Sequence, residues 1–172
     1  SIAKAYVESG LAKCILLVAT EKMSSVVDYT DRNTCVLFGD GASAAVITGT
    51  GKGLLIDYVS LGSDGNQAHL ITVPAGGSRL PSSAETVEQR LHYVRLEGRE
   101  VFKHAVRRMA TAAQECLSHT QLEATQIQWL VPHQANERIM SATAESVGVP
   151  LEKMVVTVDK YGNTSASGIA IA

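Results

Sequence analysis

His133 is a candidate for hydrogen bonding or proton transfer in a functional site. It follows Pro132 and an apolar run at residues 127–131, and it precedes a helical pattern at residues 135–147. A turn from a buried strand into a helix is where α/β proteins form their sites. Because histidine titrates near neutral pH, His133 could donate a hydrogen bond or move a proton there; a purely structural histidine is the alternative.

A second strand-to-helix turn carries Asn163, within the sequence Gly-Asn-Thr-Ser-Ala-Ser at residues 162–167. Asparagine, threonine and serine are good helix N-caps, so simple capping is one interpretation. The other is that the turns of His133 and Asn163 place two hydrogen-bond donors side by side. That arrangement is the design of an oxyanion hole.

The pattern Gly39-x-Gly41-x-x-Ala44 after a predicted strand matches the dinucleotide-binding fingerprint. The fingerprint needs a following helix, whose N-terminus holds the pyrophosphate. Residues 45–48 are too few and too β-branched for that helix, and Gly49 follows them. The favoured interpretation is that the glycines let two backbones approach each other closely.

Three cysteines, Cys14, Cys35 and Cys116, occupy two predicted strands and the apolar face of a predicted helix. We expect all three to be small apolar side chains of the core. None begins a helix, where the dipole would lower a thiol pKa, so none is predicted to be a nucleophile. The five histidines lack metal-ligand spacing, and we predict no metal site.

The composition is that of a globular protein, since 45% of the 172 residues are hydrophobic and 19% are charged. It excludes a disordered chain. The net charge of −2 gives no reason to expect binding to nucleic acid or a membrane surface. No apolar run approaches the roughly 18 residues of a membrane span, and no signal peptide is evident. An odd number of cysteines without framework spacing indicates reduced thiols, so we predict a cytoplasmic protein.

Helical and strand patterns alternate along the chain, which predicts an α/β fold. The run at residues 14–19 has no polar face and predicts a central, parallel strand. Residues 62–83 are rich in glycine, serine and proline and predict a long surface loop. We predict helices at residues 2–7, 98–117, 135–147 and after the turn at residues 160–165, and strands at residues 14–19, 34–38, the end of 39–47, 54–61, 127–131 and 154–158.

Four motifs together resemble the 3-oxoacyl-[acyl-carrier-protein] synthase III family, and the resemblance covers essentially the whole chain. They are Phe-Gly-Asp-Gly-Ala at residues 38–42, Glu-Gly-Arg-Glu-Val-Phe-Lys at 97–103, Pro-His-Gln-Ala-Asn at 132–136 and Gly-Asn-Thr-Ser-Ala at 162–166. The resemblance implies a thiolase-like layered α/β fold of two duplicated halves, forming a homodimer. Residues 1–52 would end the N-terminal half, and residues 53–172 would form most of the C-terminal half.

The resemblance also implies a reaction that starts fatty-acid synthesis. A cysteine takes an acyl group from acyl-CoA, typically acetyl-CoA, and malonyl-acyl-carrier protein then decarboxylates and attacks that group in a Claisen condensation. No cofactor is implied. By motif position, His133 and Asn163 would donate hydrogen bonds to the malonyl thioester oxygen, where each donor is worth about 3 kcal/mol of barrier.

Three further residues match family positions with binding roles. Arg32 would lie beside the CoA adenine, and Asn136 would lie near the pantetheine arm. Arg138 would dock the acidic carrier protein. Where some relatives carry lysines this chain has Glu145 and Ser146, and Arg107, Arg108 or Lys153 could replace them.

Two family segments have no counterpart in the sequence. One is the Ala-Cys-x-Gly-Phe segment with the nucleophile, expected just before Ser1. The other is the glycine-rich loop that completes the acyl-enzyme oxyanion hole. The uncapped apolar end at residues 168–172 agrees with the expectation that this chain is a piece of a longer enzyme.

Other functions stay open at this point. One is a non-catalytic fragment that binds CoA or the carrier protein, and another is a nucleotide-dependent oxidoreductase that uses the Gly39 turn. A third, within the same chemistry, is a related condensing enzyme. Examples are a priming ketosynthase of polyketide metabolism and a hydroxymethylglutaryl-CoA synthase.

We predict that these 172 residues alone have no condensing activity, because they lack the family nucleophile. The purified chain should form no 3-oxoacyl product from acetyl-CoA and malonyl-acyl-carrier protein in a steady-state assay. Sustained product formation by this chain would contradict the expectation.

Overall fold

The structure is a computed structural model that describes residues 1–172. It consists of short helices and strands joined by long irregular segments. No helix has the length and apolar character needed to cross a membrane. The helices are α1 (Ile2–Glu8), α2 (Ala84–Glu88), α3 (Gly98–Thr120), α4 (Glu137–Val147), α5 (Val158–Tyr161) and α6 (Gly168–Ile171), and the strands are β1 (Cys14–Glu21), β2 (Gly41–Thr48), β3 (Ile71–Thr72) and β4 (Arg95–Leu96).

The predicted strands near the N-terminus form, but their pairing differs from the expectation. β1 pairs with β2 alone, and the pair is antiparallel, with Cys14 opposite Thr48 and Glu21 opposite Gly41. The prediction of a central, parallel, buried strand is therefore wrong. Leu16 and Val18 are 64% and 58% exposed, because no helix or second sheet packs over their face of the pair.

The strand predicted at residues 34–38 is wrong because local hydrogen bonds fold this segment into successive turns. Asp28 Oδ1 accepts from Thr30 N, and Asp31 Oδ1 accepts from Asn33 N. The buried Thr34 hydroxyl donates to Asp31 Oδ2 at 2.8 Å. Aspartate side chains that bind backbone amides two residues on favour turns over strands.

The strand predicted at residues 54–61 is also wrong, since this segment pairs with no strand. Leu54 is fully exposed, and Lys4 Nζ donates to the carbonyl of Ile56. The following loop, predicted at residues 62–83, is largely irregular and contains a 3₁₀ turn at Gly65–Leu70 and the strand β3, which pairs with β4.

The two longest predicted helices, α3 and α4, are confirmed. Both end at a residue in the left-handed conformation, Gln121 after α3 and Gly148 after α4, a common way for helices to terminate. They pack against each other, and Ala110 of α3 forms a small buried core with Val147 and Val149.

The strands predicted at residues 127–131 and 154–158 shrink to one parallel bridge, between Leu130 and Met154. Leu130 N donates to Lys153 O, and Val155 N donates to Leu130 O, each at 2.9 Å. The next bond of a parallel ladder would run from residue 132 to Val155 O. Residue 132 is proline and has no N–H, so the ladder stops there.

A second parallel bridge joins the N-terminal and C-terminal parts of the chain, since Asn163 pairs with Phe38. Asn163 N donates to Leu37 O at 2.8 Å, and Gly39 N donates to Asn163 O at 3.0 Å. A Cβ at Gly39 would lie 1.9 Å from Tyr161 O, and one at Gly41 would lie 2.8 Å from Ser167 Oγ.

These glycines therefore allow close backbone approach, which is the interpretation favoured from the sequence. The strand β2 follows them instead of the helix that a dinucleotide fingerprint requires. The Gly39 turn thus lacks the helix N-terminus that would hold a pyrophosphate.

Gly39→Ala is expected to destabilise the chain by about 1–3 kcal/mol, because the new methyl group must displace the backbone at Tyr161. Gly53→Ala is the matched control, since a Cβ there meets no atom within 4 Å. Denaturant unfolding of both variants checks the prediction. Equal midpoints for the two would contradict it.

Candidate active site

His133 lies at the turn after Pro132 and is exposed as a residue, whereas the next residue, Gln134, is buried. Ala135 N donates to His133 O at 2.8 Å and tightens the turn. The surrounding protein partly desolvates the imidazole and lowers the pKa of His133 below its ordinary value of 6.5. The ring is therefore neutral at pH 7 and offers one N–H donor and one acceptor nitrogen.

Asn163 is half-buried, and its side chain is oriented by its own turn. Its Oδ1 accepts from Ser165 N at 2.9 Å, and Ser165 adopts a left-handed backbone with φ 51°. Because the oxygen is occupied, the amide NH2 group points the other way and is left to donate. This bond forms a local turn and caps no helix, since the N-cap residues of the following 3₁₀ turn and of α6 are Thr164 and Ser167. The two N–H groups of Asn163 stay available.

The turns of His133 and Asn163 meet at Gly168, the first residue of α6. A Cβ at Gly168 would lie 3.3 Å from Thr164 Oγ1 and 3.5 Å from Gln134 Cβ. The residues that directly follow His133 and Asn163 thus contact the same point. The structure brings together the two turns that the sequence singled out, and their catalytic roles stay predictions.

Arg32 is exposed within the turns at residues 28–37, remote in sequence from the other candidates. This segment is fixed by Asp28, a buried carboxylate that accepts from Arg90 Nε at 3.0 Å and Nη2 at 2.6 Å. The Arg90 guanidinium holds the pKa of Asp28 well below its usual range. Arg32 is therefore presented to solvent from a rigid turn.

Asn136 is the N-cap of α4, and its Oδ1 accepts from Ile139 N at 2.9 Å. This cap occupies the side-chain oxygen, so the amide NH2 is the group left for a ligand. The predicted contact of Asn136 with pantetheine can therefore use only its donors.

Arg138 is exposed on α4, and its guanidinium carbon lies 5.9 Å from the centre of the Phe102 ring on α3. The other cations predicted for docking differ in whether their charged groups already have partners within the chain. Lys153 Nζ donates to the carbonyls of Thr125 and Ile127, and Arg108 pairs with Asp64 at 2.9 Å. Arg107 is exposed and contacts only His104 of its own helix.

The cysteines are all free thiols outside the two turns. The core location predicted for Cys14 is wrong, since this residue begins β1 on a face that no other element covers and is exposed. Cys35 lies in the turns before Phe38, and Cys116 lines an apolar groove of about 240 Å³ between α3 and Trp129. No cluster of three or more histidine, cysteine, aspartate or glutamate side chains could hold a metal ion.

Two family models match the chain. The model of 3-oxoacyl-[acyl-carrier-protein] synthase III matches residues 1–65, and that of the C-terminal region of the same enzyme matches residues 117–172. The chain belongs to this synthase III family. The second match includes the turns of both His133 and Asn163, and the chain has the thiolase-like α/β fold that the resemblance implied.

Relatives within the synthase III family span nearly twice the length of the chain. The chain is 54% identical to beta-ketoacyl-[acyl-carrier-protein] synthase III of Chlamydia trachomatis serovar D over all of its own length and 53% of that protein. It is similar to the crystal structure of the Thermus thermophilus enzyme, with 40% identity and a TM-score of 0.84, covering 99% of the chain and 52% of that structure.

A second similar structure is the priming beta-ketosynthase of the R1128 polyketide pathway. It is 35% identical with a TM-score of 0.78, covering 99% of the chain and 50% of that structure. The chain therefore spans about half the length of the proteins that it matches.

No motif assigned a role to Gln134, which is 1% exposed between the two turns. A buried amide with several partners can be recognised only when the folded backbone is known.

The imidazole of His133 is expected to titrate with a midpoint below 6.5. As pH falls, the unfolded chain takes up this proton before the folded chain does, so protonation costs stability below pH 6.5. A histidine-selective NMR titration checks this, with His133→Ala assigning the resonance. A midpoint at or above that of a reference peptide would contradict it.

Proposed function

We propose that the protein containing this chain is an initiating condensing enzyme of type II fatty-acid synthesis. It joins acyl-CoA, with acetyl-CoA as primer, to malonyl-acyl-carrier protein and yields 3-oxoacyl-acyl-carrier protein, CoA and CO2. The meeting of the His133 and Asn163 turns at Gly168 is the observation that carries the proposal. This meeting of the turns supports a site in which His133 and Asn163, both neutral, donate hydrogen bonds to the malonyl thioester oxygen.

The reaction requires stabilisation of an enolate. When the bond between the malonyl carboxylate and the α-carbon breaks, CO2 leaves and the electron pair moves onto the thioester oxygen. N–H groups of His133 and Asn163 donate to this oxygen, and each is worth about 3 kcal/mol of barrier. The carbanion then attacks the acyl carbonyl carbon of the acyl-cysteine, forming a C–C bond and expelling the thiolate.

The neutral state of both donors matters for this role. A low pKa keeps His133 uncharged, so it donates without itself being a proton source for the enolate carbon. Asn163 cannot be replaced by an acid, because a carboxylate would repel the enolate and offer no N–H.

Binding residues follow from the same proposal. Arg32, exposed on its rigid turn, stacks on the CoA adenine through its planar guanidinium. The Asn136 amide NH2 contacts the pantetheine arm. Arg138 docks the acidic carrier protein. Its exposure supports this role. Lys153 and Arg108, by contrast, already bind the carbonyl of Ile127 and the carboxylate of Asp64.

Further parts of the proposal concern the whole protein. Its nucleophile is a cysteine outside these residues, it works as a cytoplasmic homodimer, and it needs no cofactor beyond its thioester substrates. The chain divides at residue 52 between the two halves.

A second candidate function is priming of a polyketide. The similarity to the R1128 priming ketosynthase favours it, since that structure is 35% identical to the chain. Both candidates use the same donors and differ in the acyl-CoA and carrier protein they accept. Comparing acetyl-CoA with longer acyl-CoA primers in the full-length protein distinguishes them.

In the full-length protein that carries these residues, His133→Ala is expected to lower malonyl-carrier decarboxylation by a hundredfold or more, as loss of an oxyanion donor does. Acylation from acetyl-CoA should survive, with mass spectrometry finding the thioester on a cysteine outside residues 1–172. Loss of the imidazole removes a donor that the acylation step does not use.

His69→Ala serves as the control, because His69 is an exposed histidine on the 3₁₀ turn Gly65–Leu70. Near-normal decarboxylation by His133→Ala would show that the donor role is wrong. If the protein bound acyl-CoA but never formed a thioester, a non-catalytic binding function would replace the proposal.

A further inference from the structure

Gln134 is the most extensively hydrogen-bonded buried side chain near the candidate site. It is 1% exposed, and both ends of its amide are used. Nε2 donates to Pro132 O at 3.0 Å and to Val155 O at 3.1 Å. Oε1 accepts from Thr157 N at 2.8 Å, from Thr157 Oγ1 at 3.2 Å and from Val158 N at 3.2 Å.

The donor end replaces a missing backbone bond. The parallel ladder that starts at Leu130 and Met154 would continue with a bond to Val155 O, but Pro132 has no N–H to give. Gln134 Nε2 takes that carbonyl instead. The side chain therefore extends the connection between the His133 turn and the neighbouring segment beyond the point where the ladder ends.

The acceptor end holds the beginning of α5. Thr157 is the N-cap residue of α5 and Val158 its first residue, and helix N-termini leave such backbone N–H groups without partners inside the helix. The helix leads directly into Gly162 and Asn163, so its position decides where the second turn lies. The Gln134 side chain also packs against Gly168.

We propose that Gln134 is a positioning residue that holds His133 and Asn163 toward the same enolate oxygen. The inference rests on the proposed function, in which both residues donate to that oxygen. Gln134 itself touches no substrate, because it is buried. Its effect comes from joining one carbonyl on the His133 side, that of Pro132, to a carbonyl and two amides of the segment that leads to Asn163.

Only a side chain that donates and accepts at once can satisfy this site. An apolar side chain of similar size would leave the carbonyl of Val155 and the amide of Thr157 without partners, which is costly in a buried site. A carboxylate would keep the acceptor but would face two carbonyl oxygens. Protonation of that carboxylate would restore one donor.

The test compares Gln134→Met with Thr143→Val in the full-length protein. Thr143 is equally suited as a control for buried hydrogen bonding, since it is 2% exposed and its hydroxyl donates only to Ile139 O in its own helix. The measured quantity is the malonyl decarboxylation rate per acylated active site. The acylated fraction, determined by mass spectrometry, corrects for any loss of folded protein.

Gln134→Met is expected to lower this ratio roughly 10- to 100-fold, because small displacements of catalytic groups cost about that much. Thr143→Val should lower it less than about twofold, since it displaces neither turn. An unchanged ratio for Gln134→Met would overturn the inference. So would a decarboxylation rate that falls only in proportion to the acylated fraction, since that result would mean a structural role alone.

Gln134→Glu keeps the inference testable if the methionine variant does not fold. Its decarboxylation ratio should be low at high pH and recover toward wild type as the introduced carboxyl takes up a proton. A ratio that tracks the wild-type pH profile would contradict the inference. Normal decarboxylation by His133→Ala would instead show that the donor role is wrong, and absence of any acyl thioester would show that the proposed function fails, so these failures are distinguishable from failure of the inference.

Discussion

Asn163 lies beside Phe38 because residues 39 and 41 carry no side chain. Tyr161 O and Ser167 Oγ occupy the space that a Cβ would need, and two backbone bonds then join Asn163 to Leu37 and Gly39. This contact brings the last residues of the chain against the β1–β2 sheet. The placement of α6, and with it the point where the His133 turn arrives, depends on it.

The two turns reach the site by different physical means. Asn163 is held by backbone bonds, and Ser165 N fixes the direction of its amide. His133 follows a proline that ends a strand ladder, and it is held through the buried amide of its neighbour. Under the proposed function, both arrangements position the backbone that carries the two donors before substrate arrives, and such preorganisation makes electrostatic stabilisation effective in an enzyme.

Much of this organisation could be predicted from the sequence. The periodicity of α3 and α4 and the apolar runs of β1 and β2 are local signals, and all four elements form. The strand predicted at residues 34–38 was wrong because Asp28 and Asp31 bind nearby backbone amides. The pairing of β1 and the partners of Gln134 depend on residues distant in sequence, which no local pattern encodes.

The outer edges of the β1–β2 pair have a consequence for how the isolated chain behaves in solution. Each strand has one row of backbone N–H and C=O groups that no other strand binds, and exposed leucine and valine side chains lie beside them. Such an edge is a template for strand addition between molecules. The isolated chain is therefore expected to aggregate by strand pairing between molecules, and more so as its concentration rises.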